Sequence, residues 1–312
     1  MIKVCIVGLG SHAKNKIIPA IKSISSSQLA VVTSQKDFRD NNVRIFENIN
    51  EAMSNLEKDY TFYISTPPST HFEIARNLMI NKFNCLIEKP IFLNCNELNE
   101  IISIAKNNST YFYECFMYRF GEIYLEFIDT FSKNQKHIES LEINFCIPKI
   151  PDKTFRSQNN LKSSLIYDIG CYPISLINEI SSKKNIRLIT VENLGKIVKE
   201  KFYIEGNIGN IDLKITFGVG KYYENYISIN FKNRKKIKFD YFFYGRESEK
   251  KIKNFVGNKE QIRVISDGNL FEIMLRNVDT NLSKTQNIRN KKMKRNIKDL
   301  EKLITEYINL SL

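Results

Sequence analysis

The turn that joins the first strand to the first helix constrains this chain more than any other feature. Ile2–Val7 is a continuous apolar run rich in valine and isoleucine, the pattern of a strand buried on both faces. Gly8-Leu9-Gly10-Ser11-His12-Ala13 follows at once, and then Ile17, Ile18, Ala20, Ile21 and Ile24 recur at helical spacing. A strand covered on both sides that feeds directly into a helix belongs to a parallel sheet with crossover helices. Gly8 permits the tight turn, Gly10 lets backbone approach a pyrophosphate, and small Ala13 lets the helix pack closely on the strand. The first amides of the helix, at Ser11, His12 and Ala13, offer N–H donors and partial positive charge to an anion. The turn reads as a dinucleotide cradle.

The same rhythm runs on through the first third of the chain. Leu29–Thr33, Tyr60–Ser65, Phe83–Glu88 and Thr110–Phe116 are expected strands. Ser69–Asn81, capped by Ser69, and Asn94–Lys106 are expected helices. Alternating strands and helices imply right-handed βαβ crossovers. Residues 1–118 are therefore expected to form a doubly wound parallel sheet of the Rossmann type. From residue 119 the pattern changes. A helix at 121–132, a strand at 138–147 and a helix over Ser163–Ile180 precede a series of extended segments at 186–265. The strict alternation in Ile211–Phe217 and Tyr226–Phe231 is that of antiparallel strands with one face covered. Helices at 270–285 and 293–310 close the chain. Residues 119–312 are expected to be an α+β domain with a large open, mainly antiparallel sheet, serving substrate binding and oligomerisation, and the last helix is expected to pack back on the first domain.

Composition narrows the function classes. The 312 residues are 42% hydrophobic, enough for two domains with their own cores. No apolar run approaches the roughly 18–20 residues that span a bilayer, and nothing at the start reads as a signal peptide. Six cysteines, at 5, 85, 95, 115, 146 and 171, include no C-x-x-C pair and no zinc-ligand spacing. Reduced thiols, no metal and a cytoplasmic location are the expectation. The net charge of +13 is spread thinly, with a single run at Lys291-Lys292-Met293-Lys294-Arg295. That run opens a segment with apolar residues at Ile297, Leu300, Leu303, Ile304, Tyr307 and Ile308, so it is read as a solvated helix face and not a nucleic-acid arm. The positive field favours anionic ligands such as nucleotides.

The end of the second strand selects the dinucleotide. An acid there would bind the ribose 2′-hydroxyl. This chain has Thr33-Ser34-Gln35-Lys36, with no acid before Asp37. A hydroxyl, an amide and a lysine suit a 2′-phosphate, so NADP(H) is expected over NAD(H). Farther on, Glu88-Lys89-Pro90 ends a strand with a lysine that the following proline holds in extended backbone. That places Lys89 at the carboxyl edge of the sheet, where ligands of open α/β folds bind. In the second part, Asp168 and Tyr172 stand four apart on an expected helix and share its face.

Five stretches, in order and spacing, resemble the glucose–fructose oxidoreductase / inositol dehydrogenase / rhizopine-catabolism oxidoreductase family. They are Gly8–Ala13 with Pro19-Ala20, Ser65-Thr66-Pro67-Pro68-Ser69-Thr70-His71, Glu88-Lys89-Pro90, Glu114–Phe120 and Asp168–Ile174. The resemblance covers almost the whole chain. It implies a cofactor bound between the two domains. Ser65, Thr66, Pro67 and His71 would lie along the dinucleotide, with Glu88 and Lys89 beside the nicotinamide. Arg156, twelve positions before Asp168, would lie near the cofactor, and Arg119 near the substrate. The resemblance further implies substrates that are sugars, nucleotide sugars, polyols or related ketones, and a homodimer or homotetramer built on the second domain's sheet. Two departures stand out. Lys162-Ser163-Ser164 replaces a glycine-rich triplet, and Tyr172 stands where many members have histidine, a form shared with ketosugar reductases.

The tyrosine sets the expected chemistry. A phenol, with a reference pKa of about 10, is protonated at neutral pH and suits a general acid. Reduction of a sugar-like carbonyl, such as that of a nucleotide-linked ketosugar, is then the expected direction. Lys89 or Tyr172 would give the proton, Lys89 would also stabilise the alkoxide, and Asp168 would orient a substrate hydroxyl or pair with Lys89. Two other readings fit the same residues: a dinucleotide-sensing regulator without catalysis, and an imine or enone reductase acting on a non-sugar metabolite.

Overall fold

The computed structural model describes residues 2–148, 165–193, 200–278 and 282–311. They divide into two units, Met1–Met117 with Phe271–Lys294, and Tyr118–Leu270 with Arg295–Leu312.

In the first unit, β1 (Ile2–Val7), β2 (Ser27–Val32), β3 (Arg44–Phe46), β4 (Thr61–Ile64), β5 (Asn84–Glu88) and β6 (Phe112–Cys115) alternate with helices. The helices are α1 (Ile18–Lys22), α2 (Ile49–Asn55), α3 (His71–Ile80) and α4 (Cys95–Asn108). All strands are parallel, in the order β3-β2-β1-β4-β5-β6. Cys5, Ile6, Phe62, Tyr63, Phe83 and Ile87 are fully buried, which is why these strands read as unbroken apolar runs. Val7 pairs with both Val32 and Ile64, and Glu88 with Cys115. The strands therefore finish along one edge. Strand order reverses between β1 and β4, so the glycine turn and the Ser65–Pro67 loop flank the topological switch point, where such folds bind their ligands.

β3 and α2 lie outside the expected elements. Three residues, two of them exposed, are too few for a period. α2 does carry a local signal: Asn48 Oδ1 accepts from Glu51 N at 2.9 Å, and Glu51 Oε2 accepts from Glu47 N at 2.9 Å, a capping pattern of the kind that starts helices. α4 starts the same way, with Asn94 capping Glu97 N at 3.0 Å. The expected Ser69 cap is not formed. A short 3₁₀ turn, Pro68–Thr70, precedes α3, whose N-cap is Thr70. The Thr70 hydroxyl lies 2.7 Å from Thr66 Oγ1 and 2.8 Å from Pro67 O, so it braces the loop below it.

The second unit holds α5 (Glu122–Asn134), β7 (Ile138–Ile147), α6 (Cys171–Ile180), β8 (Asn185–Asn193), β9 (Glu200–Ile208), β10 (Ile211–Val219), β11 (Glu224–Phe231), β12 (Lys236–Asp240), β13 (Ser248–Val256) and β14 (Lys259–Asp267). They form an eight-stranded sheet in the order β14-β13-β12-β11-β7-β10-β9-β8, antiparallel except where β7 meets β10. Ile211, Leu213, Ile215 and Phe217 point to the core, while Asp212 and Lys214 are exposed. The expected alternation is therefore the real one.

Two helices end the chain, α7 (Leu270–Val278) and α8 (Leu282–Ser311). α8 is a single helix of 30 residues, so the basic run at 291–295 lies within it and does not open it. Met293, Ile297, Leu300 and Leu303 are its buried stripe. No helix among the described residues is long and apolar enough to cross a membrane. All six cysteines are free thiols, five of them buried.

Candidate active site

Each unit carries part of the constellation read from the sequence. In the first, Gly8 has φ +93°, and a Cβ there would stand 2.7 Å from Thr66 Cγ2 and 3.0 Å from Ser65 O. No side chain fits, so the β1 turn can close on the β4 loop only with glycine. Gly10 is the opposite case: a Cβ there would meet nothing within 4 Å. The turn's outer face is open above a helix that begins at Ser11. A π-turn, Ala13–Ile17, widens that helix's start, and Ala13 is fully buried as the close packing of helix on strand requires. The first amides of a helix have no partner within it, so this cradle fits a pyrophosphate.

At the end of β2, Ser34, Gln35 and Lys36 are exposed. The Gln35 amide is engaged at both ends. Nε2 donates to Leu9 O at 2.8 Å, and Oε1 accepts from Lys14 Nζ at 2.6 Å. Gln35 N donates to Thr33 Oγ1 at 3.0 Å, and Arg39 Nη1 folds onto Phe38 O at 2.9 Å. β2 stops at Val32, and Asp37 lies in the turn beyond, so no acid occupies the strand tip. Lys14 was missed in the sequence because it stands one residue past the glycine motif, and only the fold carries it to Gln35.

Glu88 is buried at the end of β5. Its carboxylate accepts from His12 Nε2 at 2.8 Å, closely from the Tyr63 hydroxyl, and from Lys89 N at 3.3 Å. Burial pushes its pKa up, but His12, Tyr63 and Lys89 outweigh burial and hold it at about 2. Facing a carboxylate, His12 carries its proton on Nε2. Burial drives the Tyr63 phenol well above its ordinary value, and Glu88 adds to this, so Tyr63 stays a donor. His71 is fully buried. Nδ1 lies 3.1 Å from Pro90 O and 3.2 Å from Ile91 O, and Nε2 lies 2.9 Å from Thr66 O. Burial lowers its pKa against the pull of these carbonyls. His71 thus buckles the loop after β4 to the loop after β5. Glu114 Oε1 accepts from Ile91 N at 3.1 Å. The Lys89–Pro90 peptide is cis. Within Glu88–Phe92, only Lys89 is half-buried where its neighbours are buried and pinned.

In the second unit, Asp168 sits in a π-turn, Ile166–Gly170, that runs into α6. The expected plain α-helix is thus widened at Asp168, a distortion often found at functional positions. Gly170 presses on β10, where a Cβ would come within 2.8 Å of the Phe217 ring. Half-buried Tyr172 lies among aromatic rings, with centroids 5.2 Å from Phe145, 5.5 Å from Phe243 and 6.1 Å from Tyr118. The Tyr118 hydroxyl meets Ser175 Oγ at 2.8 Å, and Ser175 Oγ lies 2.8 Å from Tyr172 O. Asp168 Oδ2 is shielded from solvent. Arg119 Nη2 stands 4.0 Å from Glu179 Oε2, both side chains largely buried. Arg156 and the Lys162–Ser164 triplet lie outside the described residues.

The first unit therefore brings together Gly8, Gly10, Ser11, His12, Ala13, Ser65, Thr66, Pro67, Glu88 and Lys89 along one sheet edge, with Ser34, Gln35 and Lys36 at its β2 end. The second brings Asp168 and Tyr172 to the start of α6. A parallel sheet with this turn at its switch point defines a dinucleotide-binding protein. Comparison agrees: residues 2–115 match the model of the oxidoreductase family with an NAD-binding Rossmann fold. An uncharacterized oxidoreductase, ORF334, of Rhizobium meliloti is 20% identical over 205 residues, which span 63% of this chain and 61% of that protein's length. Among solved structures, KijD10, a 3-ketoreductase from Actinomadura kijaniata in complex with NADP and TDP-benzene, superposes with a TM-score of 0.83. It is 15% identical, with 98% of this chain and 97% of that one covered. The UDP-N-acetylglucosamine 3-dehydrogenase GnnA from Acidithiobacillus ferrooxidans gives 0.72 at 14% identity, with 97% of each chain covered. At these identities the structural likeness establishes the fold.

Proposed function

We propose that the protein is an NADP(H)-dependent oxidoreductase that reduces the carbonyl of a sugar carried on a nucleoside diphosphate. The observation that carries this reading is Lys89. The backbone around it is fixed by Glu88, His71 and Glu114, and within Glu88–Phe92 it alone is half-buried rather than buried, at the sheet edge that bears the glycine turn. A nicotinamide cofactor, when bound, supplies the hydride. The carbonyl carbon receives it, and the carbonyl oxygen needs a proton. Tyr172 donates that proton, Lys89 stabilises the negative charge that develops on the oxygen, and Asp168 orients a neighbouring sugar hydroxyl. The preference for NADP rests on the acid-free β2 tip and on Lys14 and Lys36 beside it. The nucleotide-linked substrate is supported by the names of the two structural neighbours and by the net charge of +13.

Steady-state rates with NADPH and NADH against a panel of free and nucleotide-linked ketosugars test the reading. A KM for NADPH well below that for NADH, and turnover with a nucleotide-linked ketosugar, are expected. A clear preference for NADH removes the cofactor assignment, and activity confined to non-sugar carbonyls removes the substrate class.

A further inference from the structure

The sheet end that carries Tyr172 also presents an array of exposed tyrosines. Asn225 of β11 pairs with Phe145 of β7, the ring against which Tyr172 packs, and Tyr226 pairs with Asp240 at the end of β12. The connection from β10 to β11, which passes the end of β7, and the turn after β12 therefore emerge near Tyr172. Phe243, in that turn, touches Tyr172 directly.

Around this point Tyr222 is 66% exposed, Tyr223 39% and Tyr241 48%. The Tyr223 and Tyr241 rings are close to parallel, at 22° with centroids 6.2 Å apart. Tyr244 closes on Tyr241 at 6.3 Å, and Lys221 Nζ stands 5.2 Å over the Tyr222 ring. The arrangement is built. Tyr241 holds φ +56°, a conformation that side chains rarely adopt and that local bonding must enforce. Buried Asn225 enforces it: its carbonyl accepts from Tyr241 N at 2.6 Å, its Oδ1 from Phe243 N at 2.9 Å, and its Nδ2 donates to the Tyr223 hydroxyl at 2.8 Å. One residue thus fixes a tyrosine on the β10–β11 connection, a tyrosine on the turn, and the phenylalanine that meets Tyr172. The backbone is strained in order to hold an aromatic ring in solvent.

We propose that Tyr222, Tyr223 and Tyr241 form the stacking surface for the base of a nucleoside-diphosphate-linked substrate, with Lys221 facing its diphosphate. Exposed rings in a fixed orientation suit a planar base, because stacking uses the face of the ring and tolerates any base. The lysine beside them supplies charge complementary to a diphosphate. This inference rests on the substrate class proposed above. It adds that the second unit holds the base on a platform fixed by Asn225, and that Phe243, whose N–H donates to Asn225 Oδ1, joins this platform to Tyr172.

The test is calorimetric titration of the full chain with UDP and with TDP, under saturating NADP so that the dinucleotide cradle is filled. Tyr241→Asn removes the ring while leaving a residue that accepts positive φ, and Tyr222→Ser alters an exposed position with no demand on the backbone. Each is expected to weaken binding of both nucleotides about tenfold to hundredfold, with the melting temperature and the affinity for NADP unchanged. Should one variant fail to fold, the other decides. If both nucleotides bind the unaltered protein and the variants equally, the platform is refuted and the substrate class stands. If neither binds the unaltered protein, the substrate class falls and the platform with it. If the variants change only the sedimentation of the protein, the tyrosines cover a second copy of the chain, and the proposal is overturned.

Discussion

His12 Nε2 donates a hydrogen bond to Glu88 Oε1 at 2.8 Å, joining the helix after the glycine turn to the strand that presents Lys89. The carboxylate that receives it is held at about 2 by His12, Tyr63 and Lys89 in spite of burial. A carboxyl whose folded pKa lies below its unfolded value stabilises the fold above the unfolded pKa, and the contribution is lost as pH falls through the folded one. Stability should therefore decline between about pH 4.5 and pH 2, by an amount on the order of a few kcal/mol. Glu88→Gln should flatten this acid limb. Urea midpoints at pH 3 and pH 6 measure it. An equally steep limb in the variant would show that other carboxylates carry the effect.

His71, fully buried, stands between the carbonyls of Pro90 and Ile91 at Nδ1 and that of Thr66 at Nε2. His71→Phe keeps the bulk but removes the neutral ring's one N–H, and the carbonyl that loses it costs about 1–3 kcal/mol as an unsatisfied buried group. Because the bonded loops flank Lys89, turnover should fall more than NADPH binding. Thermal melting together with a kcat-against-Kd comparison checks both halves, and a stable variant with normal turnover would contradict the assignment.

Lys14 is held beside the β2 tip by Gln35 at 2.6 Å. Lys14→Ala should weaken NADPH binding about tenfold, or about 1.4 kcal/mol, and leave NADH binding unaltered, since only the former carries the 2′-phosphate. Gln35→Ala, which also releases Leu9 O in the glycine turn, should weaken both. Fluorescence titration with the two reduced dinucleotides separates these outcomes. Equal losses for both dinucleotides in Lys14→Ala would show that Lys14 does not read the phosphate.

Away from the site, Lys250 and Asp267 form a buried ion pair at 2.8 Å. Asp267 Oδ1 also accepts from Glu122 N at 2.7 Å, at the start of α5, and a Cβ on Gly121 would come within 2.7 Å of Asp267 Oδ2. Lys250→Met strands a buried carboxylate and should cost about 3–5 kcal/mol. Lys250→Met with Asp267→Leu should recover part of that loss. Chemical denaturation of the single and double variants decides, and additive losses would exclude the coupling.

The sequence made legible what local pattern determines. β1 and the glycine turn follow from apolar runs and small residues at fixed spacing, and the alternation of β10 states which of its faces is covered. What escaped depends on tertiary context. β3 has too few residues for a period. The π-turn at Asp168 looks like α-helix in sequence because both share the same propensities. Lys14 and Gln35 are 21 positions apart, and nothing in either residue announces the other. The resemblance puts His71 along the dinucleotide and Glu88 beside the nicotinamide; what no motif announces is that both side chains also bond within the protein and set the backbone around Lys89.

The central claim is that Tyr172 supplies the proton and Lys89 stabilises the charge during carbonyl reduction. Single-turnover oxidation of bound NADPH by a nucleotide-linked ketosugar tests it most directly, in Tyr172→Phe and Lys89→Met. The account predicts a rate loss of about 10²–10⁴-fold in Tyr172→Phe, the range of general acid catalysis, a comparable loss in Lys89→Met, and an unchanged NADPH dissociation constant in both. Undiminished rates in both variants would contradict it.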